Sequence, residues 1–289
     1  MSKIILITGT STGLGISIAV QAAQAGHTVY ATMRNLEKRS ALDAAAATAD
    51  VSLNVLPLDV SDSASVNKAV DDIIAREGRI DVLVNNAGAG FVRTVEQATE
   101  AEIQWVMDVN FTGVARCIKA VMPHMRQARS GHIVTISSVG GLVGQPFNEI
   151  YCAAKFAVEG MMEAMASYIT PSFGINFTLV EPGGIATEFV ANVMSHVAGT
   201  GGILDDEYKP VLEAYIGGSQ SRGNQTRGGQ SSYQTADEVA EVVLSTIQSD
   251  HPPLRTRTSE WSETLCHLKT ALDPDGLKLS AQVTKQFLG

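Results

Sequence analysis

The stretch "KIILITGTSTGLGIS", residues 3–17, decides how the chain folds. A short run of Ile and Leu leads into Gly9, Gly13 and Gly15, spaced G-x-x-x-G-x-G. A helical pattern follows from Leu14 to Ala25. A strand, a glycine turn and a helix in that order bring backbone N–H groups and a helix N-terminus close to a bound pyrophosphate. Ordinary loops also collect glycines. What points to dinucleotide binding is the placement of this trio between the first strand and the first helix.

Outward from this turn the chain alternates two periods. "HTVYAT" and "VSLNVLPLDV" predict the second and third strands. Val66, Ala69, Val70, Ile73 and Ile74 then fall on one helical stripe. "RIDVLVNNAG" reads as a fourth strand, nearly continuous in apolar residues, as strands covered on both faces tend to be. Thr99 and Glu102 form a capping-box pattern that opens a helix running toward Pro123. "HIVTISS" is a fifth strand, the segment around Tyr151 a helix, and "INFTLVEPGG" a sixth strand. The expected fold is α/β, a Rossmann-type doubly wound parallel sheet in a single domain spanning 1–289. Residues 188–235, rich in Gly, Ser and Gln with little periodicity, read as a lid-like insertion over the site. Thr235 and Glu238 repeat the capping box ahead of Val239, Val242, Val243 and Ile247. The segment 251–289 is a C-terminal extension, largely helical, with no role legible in its residues.

Composition narrows the function. Of 289 residues, 45% are hydrophobic and 18% charged, which fits a buried core. A net charge of −9 without a Lys/Arg block argues against a nucleic-acid partner. Three scattered cysteines and six histidines without ligand spacing indicate neither a disulfide framework nor a metal site. No apolar run reaches membrane-spanning length and no leader pattern opens the chain, so the expected setting is cytoplasmic, away from membrane.

From Lys3 to about Thr187 the motifs and their order resemble the short-chain dehydrogenase/reductase family, in its single-domain branch. "TGTSTGLG" is similar to the family's TGxxxGxG, and "LDV" at Asp59 to its adenine contact. "NNAG" (Asn85–Gly88) resembles its strand-end motif and Asn110 its helix asparagine. Ser138 and "YCAAK" resemble its Ser…YxxxK arrangement, and "EPGGIAT" its PGxxxT turn. The stretch from Ser137 through "YCAAKFAVEG", with "VYATMRN", is most similar to the 17β-hydroxysteroid-dehydrogenase-like group.

The resemblance implies a catalytic set of Asn110, Ser138, Tyr151 and Lys155. It also implies cofactor contacts from Gly9, Ser11, Thr12, Gly13, Leu14, Gly15, Arg34, Asp59, Val60, Asn86, Ala87, Gly88, Tyr151, Lys155, Pro182, Gly183, Ile185 and Thr187, with no metal. Tyr151 would be the acid/base and Lys155 its electrostatic partner and ribose ligand. Ser138 would hold the substrate oxygen, and Asn110 a water that relays protons. A free phenol titrates near ~10. A unit charge ~4 Å away is worth roughly 4 kcal/mol at an effective dielectric of ~20, enough to lower that value by up to about three pH units. Met33 stands where an NAD-type acid would end the second strand, and Arg34 follows, which favours NADP over NAD. Ser11 could add a hydrogen bond to the 2′-phosphate, although no basic residue lies within the glycine turn itself. The expected reaction interconverts a small-molecule ketone and secondary alcohol. An NAD-dependent dehydrogenase, a 3-oxoacyl thioester ketoreductase and a non-catalytic NADP-binding regulator are the alternatives. The family also implies a homodimer or homotetramer, with Phe156, Met161, Met162 and Met165 supplying apolar contact surface.

Overall fold

The computed structural model describes residues 2–224, 226–227, 230–231 and 233–288. Its centre is β1 (Ile4–Thr8), with every residue buried. Ile4 and Leu6 point into one core and Ile5 and Ile7 into the other, so the strand is apolar on both faces. After α1 (Leu14–Gln24) the chain adds β2 (Thr28–Met33), α2 (Ser40–Thr48) and β3 (Asn54–Pro57) to one side of β1. It then crosses over. α3 (Ser63–Glu77) leads to β4 (Val82–Asn85) on the other side, followed in the sheet by β5 (Gly131–Ile136) and β6 (Ile175–Glu181). All of these neighbours pair in parallel, in the order β3-β2-β1-β4-β5-β6. The order reverses between β1 and β4, so a crevice opens beyond their carboxyl ends, where such sheets bind ligands.

Two helical layers close the sheet. On one face α3 and α5 (Gly113–Ala128) pack with α6 (Glu149–Phe173), burying Val70, Ile73, Ile118, Val121, Val158 and Met162. On the other face α1 packs with α9 (Ala236–Gln248), burying Ile18, Val239, Val243 and Ile247. Both expected capping boxes form. Thr99 and Thr235 each accept from the amide three residues on, and the Glu there accepts in return.

Several elements differ from expectation. The helix opened by Thr99 does not stop near Pro123: α4 (Glu100–Met107) passes through a π turn at Asp108–Thr112 into α5, which continues to Ala128. Pro123 and Lys119 both lie on the exposed side of α5, where water can satisfy the carbonyl that proline leaves without a donor. α2 is an alanine-rich helix with only two buried residues, a composition of high propensity but little period. Within 188–235 the chain forms α7 (Phe189–Gly199), α8 (Lys209–Asn224) and two short strands, β7 (Thr226–Arg227) and β8 (Gln230–Ser231). Gly228 and Gly229, part of the expected lid, lie outside the described residues.

The C-terminal extension adds a seventh parallel strand, β9 (Arg255–Arg257), beside β6, then α10 (Glu260–Thr270) and α11 (Leu277–Leu288). α11 rests along α6, where Thr284 hydrogen-bonds the Ser167 carbonyl. Met162, expected at a subunit interface, is fully buried beneath β5 and receives a hydrogen bond from Thr135. Met161 and Met165 are half-buried against the same core, and Phe156 alone of the four is exposed. No helix among the described residues is long and apolar enough to cross a membrane.

Candidate active site

The glycine turn is tight for a measurable reason. Gly9 has φ +73°, and a Cβ there would lie 2.7 Å from the Ala87 Cα. A Cβ on Gly15 would lie 2.3 Å from the Gly9 carbonyl oxygen. Neither position admits a side chain. Asn86 Nδ2 donates to the carbonyls of Thr8 and Gly9, each at 2.9 Å, while Thr8 Oγ1 accepts from the amides of Asn86 and Ala87. The turns after β1 and β4 are thereby locked together. They form the floor of a cavity of about 620 Å³ that takes in every residue the sequence assigned to catalysis or cofactor binding.

At one end of the cavity Met33 is buried and Arg34 stands beyond it. Asn35 caps a short 3₁₀ turn at Leu36–Lys38 by accepting from the Glu37 amide at 2.9 Å, and this turn brings Lys38 to the wall beside Arg34. Lys38 was not among the expected site residues; its signal was the Asn-capped "RNLEK" after Met33. Asp59 lines the same end, with one oxygen accepting from the Ser61 amide at 2.9 Å. Two cations thus lie where a hydroxyl-binding carboxylate would otherwise end β2. The cradle without side chains and the helix N-terminus fit the pyrophosphate of a dinucleotide.

At the other end Ser138, Tyr151, Lys155 and Asn110 converge from four elements. Ser138 leaves β5 in extended conformation and accepts from the Gly140 amide at 3.0 Å, so its hydroxyl hydrogen is free to donate. Burial pushes the Tyr151 phenol up to about 12, against an opposing hydrogen bond from Ser138. This corrects the expected lowering. The Lys155 ammonium sits 5.7 Å from the centre of the Tyr151 ring and spends one of its three donors on the Ile136 carbonyl at 2.8 Å. Lys155 itself is 5% exposed, and burial brings it down to about 8 while Glu159 holds it up. Asn110 is fully buried within the π turn. Its amide donates to the carbonyls of Ala89 and Val106, and its oxygen accepts from the Ala89 amide.

α7 covers this end. Phe189 meets the Tyr151 ring edge-on at 6.1 Å between centroids. Gly90 permits the approach, since a Cβ there would come within 2.3 Å of Val193. Trp105, Gln145, Asn148, Tyr215 and Trp261 complete the wall, and Asn148 donates to the Tyr215 hydroxyl at 2.8 Å. These residues share no motif spacing, so nothing in the residue pattern marks them. No group of His, Cys, Asp and Glu able to hold a metal is found among the described residues.

Comparison with known proteins agrees with this geometry. The family described as short chain dehydrogenase matches residues 3–198. The chain is similar to retinol dehydrogenase 8 of Bos taurus, with 41% identity over 95% of this chain and 86% of that protein. It is also similar to 17-beta-hydroxysteroid dehydrogenase type 1 of Homo sapiens, with 36% identity over 99% and 86% respectively. Among solved structures, a short-chain dehydrogenase from Streptomyces avermitilis superposes with TM-score 0.75 at 28% identity, covering 99% of both chains. With the glycine cradle, the Ser–Tyr–Lys cluster and the sheet order all in agreement, the chain belongs to the short-chain dehydrogenase family and is an NAD(P)-dependent oxidoreductase.

Proposed function

We propose that this protein is an NADP-dependent oxidoreductase that interconverts a secondary alcohol and a ketone, with Tyr151 as the acid/base. The observation that carries the reading is one continuous cavity with Arg34 and Lys38 at one end and Ser138, Tyr151 and Lys155 at the other. The glycine cradle lies between them. Arg34, Lys38 and Ser11 would hold the 2′-phosphate, the glycine turn the pyrophosphate, and Lys155 the nicotinamide ribose. NADPH, when bound, supplies the hydride.

The chain's own residues handle the proton. With its pKa raised, Tyr151 is a neutral phenol at neutral pH, the form that donates to a carbonyl oxygen. The Ser138 hydroxyl is a second donor to the same oxygen and stabilises charge developing there. Lys155, charged below about 8, stabilises the tyrosinate left behind. Asn110 is proposed to hold the relay water at its π turn; with both amide hydrogens committed, it would do so through an oxygen. The described part of 188–235 serves as the cover, with Phe189 of α7 packed against the Tyr151 ring.

The carbonyl end favours a bulky, neutral, apolar substrate. Apart from Lys155, the described residues lining it are aromatic, aliphatic, amide- or hydroxyl-bearing, without a cation to meet a thioester's phosphates. The names of the two relatives, which refer to retinol and to a hydroxysteroid, point to the same class of molecule.

Tyr151→Phe removes the proton donor and little else. Its kcat should fall by ~10²–10⁴-fold with NADPH binding nearly unchanged, as read from NADPH absorbance and a binding titration. Retention of more than about a hundredth of wild-type kcat is incompatible with the assigned role. Arg34→Asp should move the ratio of kcat/KM values from NADP toward NAD, since a carboxylate repels the phosphate and accepts from a ribose hydroxyl. A ratio that barely moves means that Arg34 does not discriminate. Assembly into a homodimer or homotetramer is placed on the exposed parts of α4, α5 and the Phe156 face of α6, without Met162. Sedimentation at micromolar concentration should give a dimer or larger; a strict monomer contradicts the placement.

A further inference from the structure

Behind the site, one turn of α6 beyond Lys155, lies a buried ionic cluster that the reaction as described does not use. Glu159 is 4% exposed and Glu181, the last residue of β6, is fully buried. Arg255 of β9 reaches both, with its Nε 3.2 Å from Glu159 Oε2 and 3.7 Å from Glu181 Oε1. It also binds Glu163. Arg257 lies 3.2 Å from Glu181 Oε2 and 2.6 Å from Glu263 Oε2 on α10. The Cys266 thiol, also on α10, is within electrostatic reach of the same carboxylates.

The second oxygens of the two acids are the anomaly. Glu159 Oε1 and Glu181 Oε1 are each buried without a hydrogen-bond partner among the described residues, as is Ser137 Oγ. Gly141 is open enough to let Ser137 and Glu159 approach, since a Cβ there would lie 2.7 Å from Ser137 Oγ and 3.1 Å from Glu159 Oε1. The Ser137 hydroxyl is a donor in reach of Glu159, but between the two acids themselves ionised carboxylates offer none, whereas one shared proton does. Charge balance agrees. Lys155, Arg255 and Arg257 face Glu159, Glu163, Glu181 and Glu263, and one added proton makes the group neutral. Like-charge carboxylates in one buried site titrate as such a pair. Burial and repulsion from Glu159 push Glu181 up to about 8, and burial raises Glu159 as well, against hydrogen bonds from Ser137, Arg255 and Glu181.

We propose that Glu159 and Glu181 share one proton, and that the single negative charge left on the pair makes Glu159 a positioning residue that keeps Lys155 an ammonium. The proposal rests on the reading of Lys155 as the electrostatic partner of Tyr151. It also gives the C-terminal extension a role: β9 supplies the two guanidinium groups without which a second buried acid beside the site could not be held. Glu159 acts because it is at i+4 from Lys155, near enough to raise that lysine's pKa. Glu181 is one strand further away, so neutralising it leaves the charge beside Lys155 in place.

Two measurements that need no substrate test this. Infrared spectra near neutral pH should contain the C=O stretch of a buried protonated carboxyl in the wild-type protein, absent from both Glu159→Gln and Glu181→Gln. Carbon-13 NMR of lysine Cε, with the Lys155 signal assigned by its loss in Lys155→Met, should follow its titration. Glu159→Gln should move that titration down by about one pH unit, and Glu181→Gln by less than a third as much. No protonated-carboxyl band in the wild type, or equal movement in the two variants, overturns the proposal. So does a Lys155 titration unmoved by Glu159→Gln. If Glu159→Gln does not fold, the wild-type band and its loss in Glu181→Gln still decide whether the proton is there. Failure to reduce any ketone, with band and titration as expected, would sink the proposed function and leave this inference standing.

Discussion

A lysine held out of water beside a tyrosine is the constraint around which the site is arranged. Lys155 is almost fully buried on α6, with the Ile136 carbonyl as its hydrogen-bond acceptor and Glu159, one turn further on, as the acid that holds its pKa up. Burial alone would strip its proton, and the neighbouring carboxylate opposes that loss. Tyr151, enclosed by Phe189 on one side and Ser138 on the other, is neutral for the same reason. The pair is thereby set in the protonated, charged state from which a proton can be given to a carbonyl and the resulting tyrosinate stabilised.

The fold supplies the rest by close approach. β1 and β4 are neighbours at the point where the strand order reverses, and their following turns touch through Gly9 and Ala87. Asn86 ties the two together through main-chain carbonyls, so the cradle is rigid where a pyrophosphate would meet backbone amides. The sheet then carries Ser138 off β5 and the Pro182 turn off β6 to the same edge. At the far edge β9 brings Arg255 and Arg257 against carboxylates of α6 and β6. The edge strand that ends the sheet also balances charge behind Lys155.

How much of this was legible in the residues depended on how local the determining physics was. The glycine turn, both capping boxes and the apolar stripe of α3 are set by neighbours within a turn or two, and they formed as read. The tetrad and the cofactor residues came from motifs in a fixed order, and one cavity collects them all. α7 and α8 were hidden because few of their described residues are buried: Val193 and Val197 on α7, and Leu212 on α8. β9 is three residues long, and its charges are answered by acids up to 96 positions away, a match no local pattern contains. The direction of the Tyr151 shift was misread for a related reason. Helical spacing puts Lys155 on the correct face, but the burial that raises the phenol comes from elements far away in sequence, such as Phe189 on α7.

The central claim is that Lys155 must carry its proton for Tyr151 to act, and the pH dependence of carbonyl reduction tests it most directly. With NADPH saturating and an apolar ketone as substrate, the rate should hold up to about 8, where burial has brought Lys155. Above that it should fall about tenfold per pH unit as the ammonium is lost, long before an ordinary lysine near ~10.4 would titrate. A rate that stays level past pH ~10 would mean that the charge on Lys155 is not required.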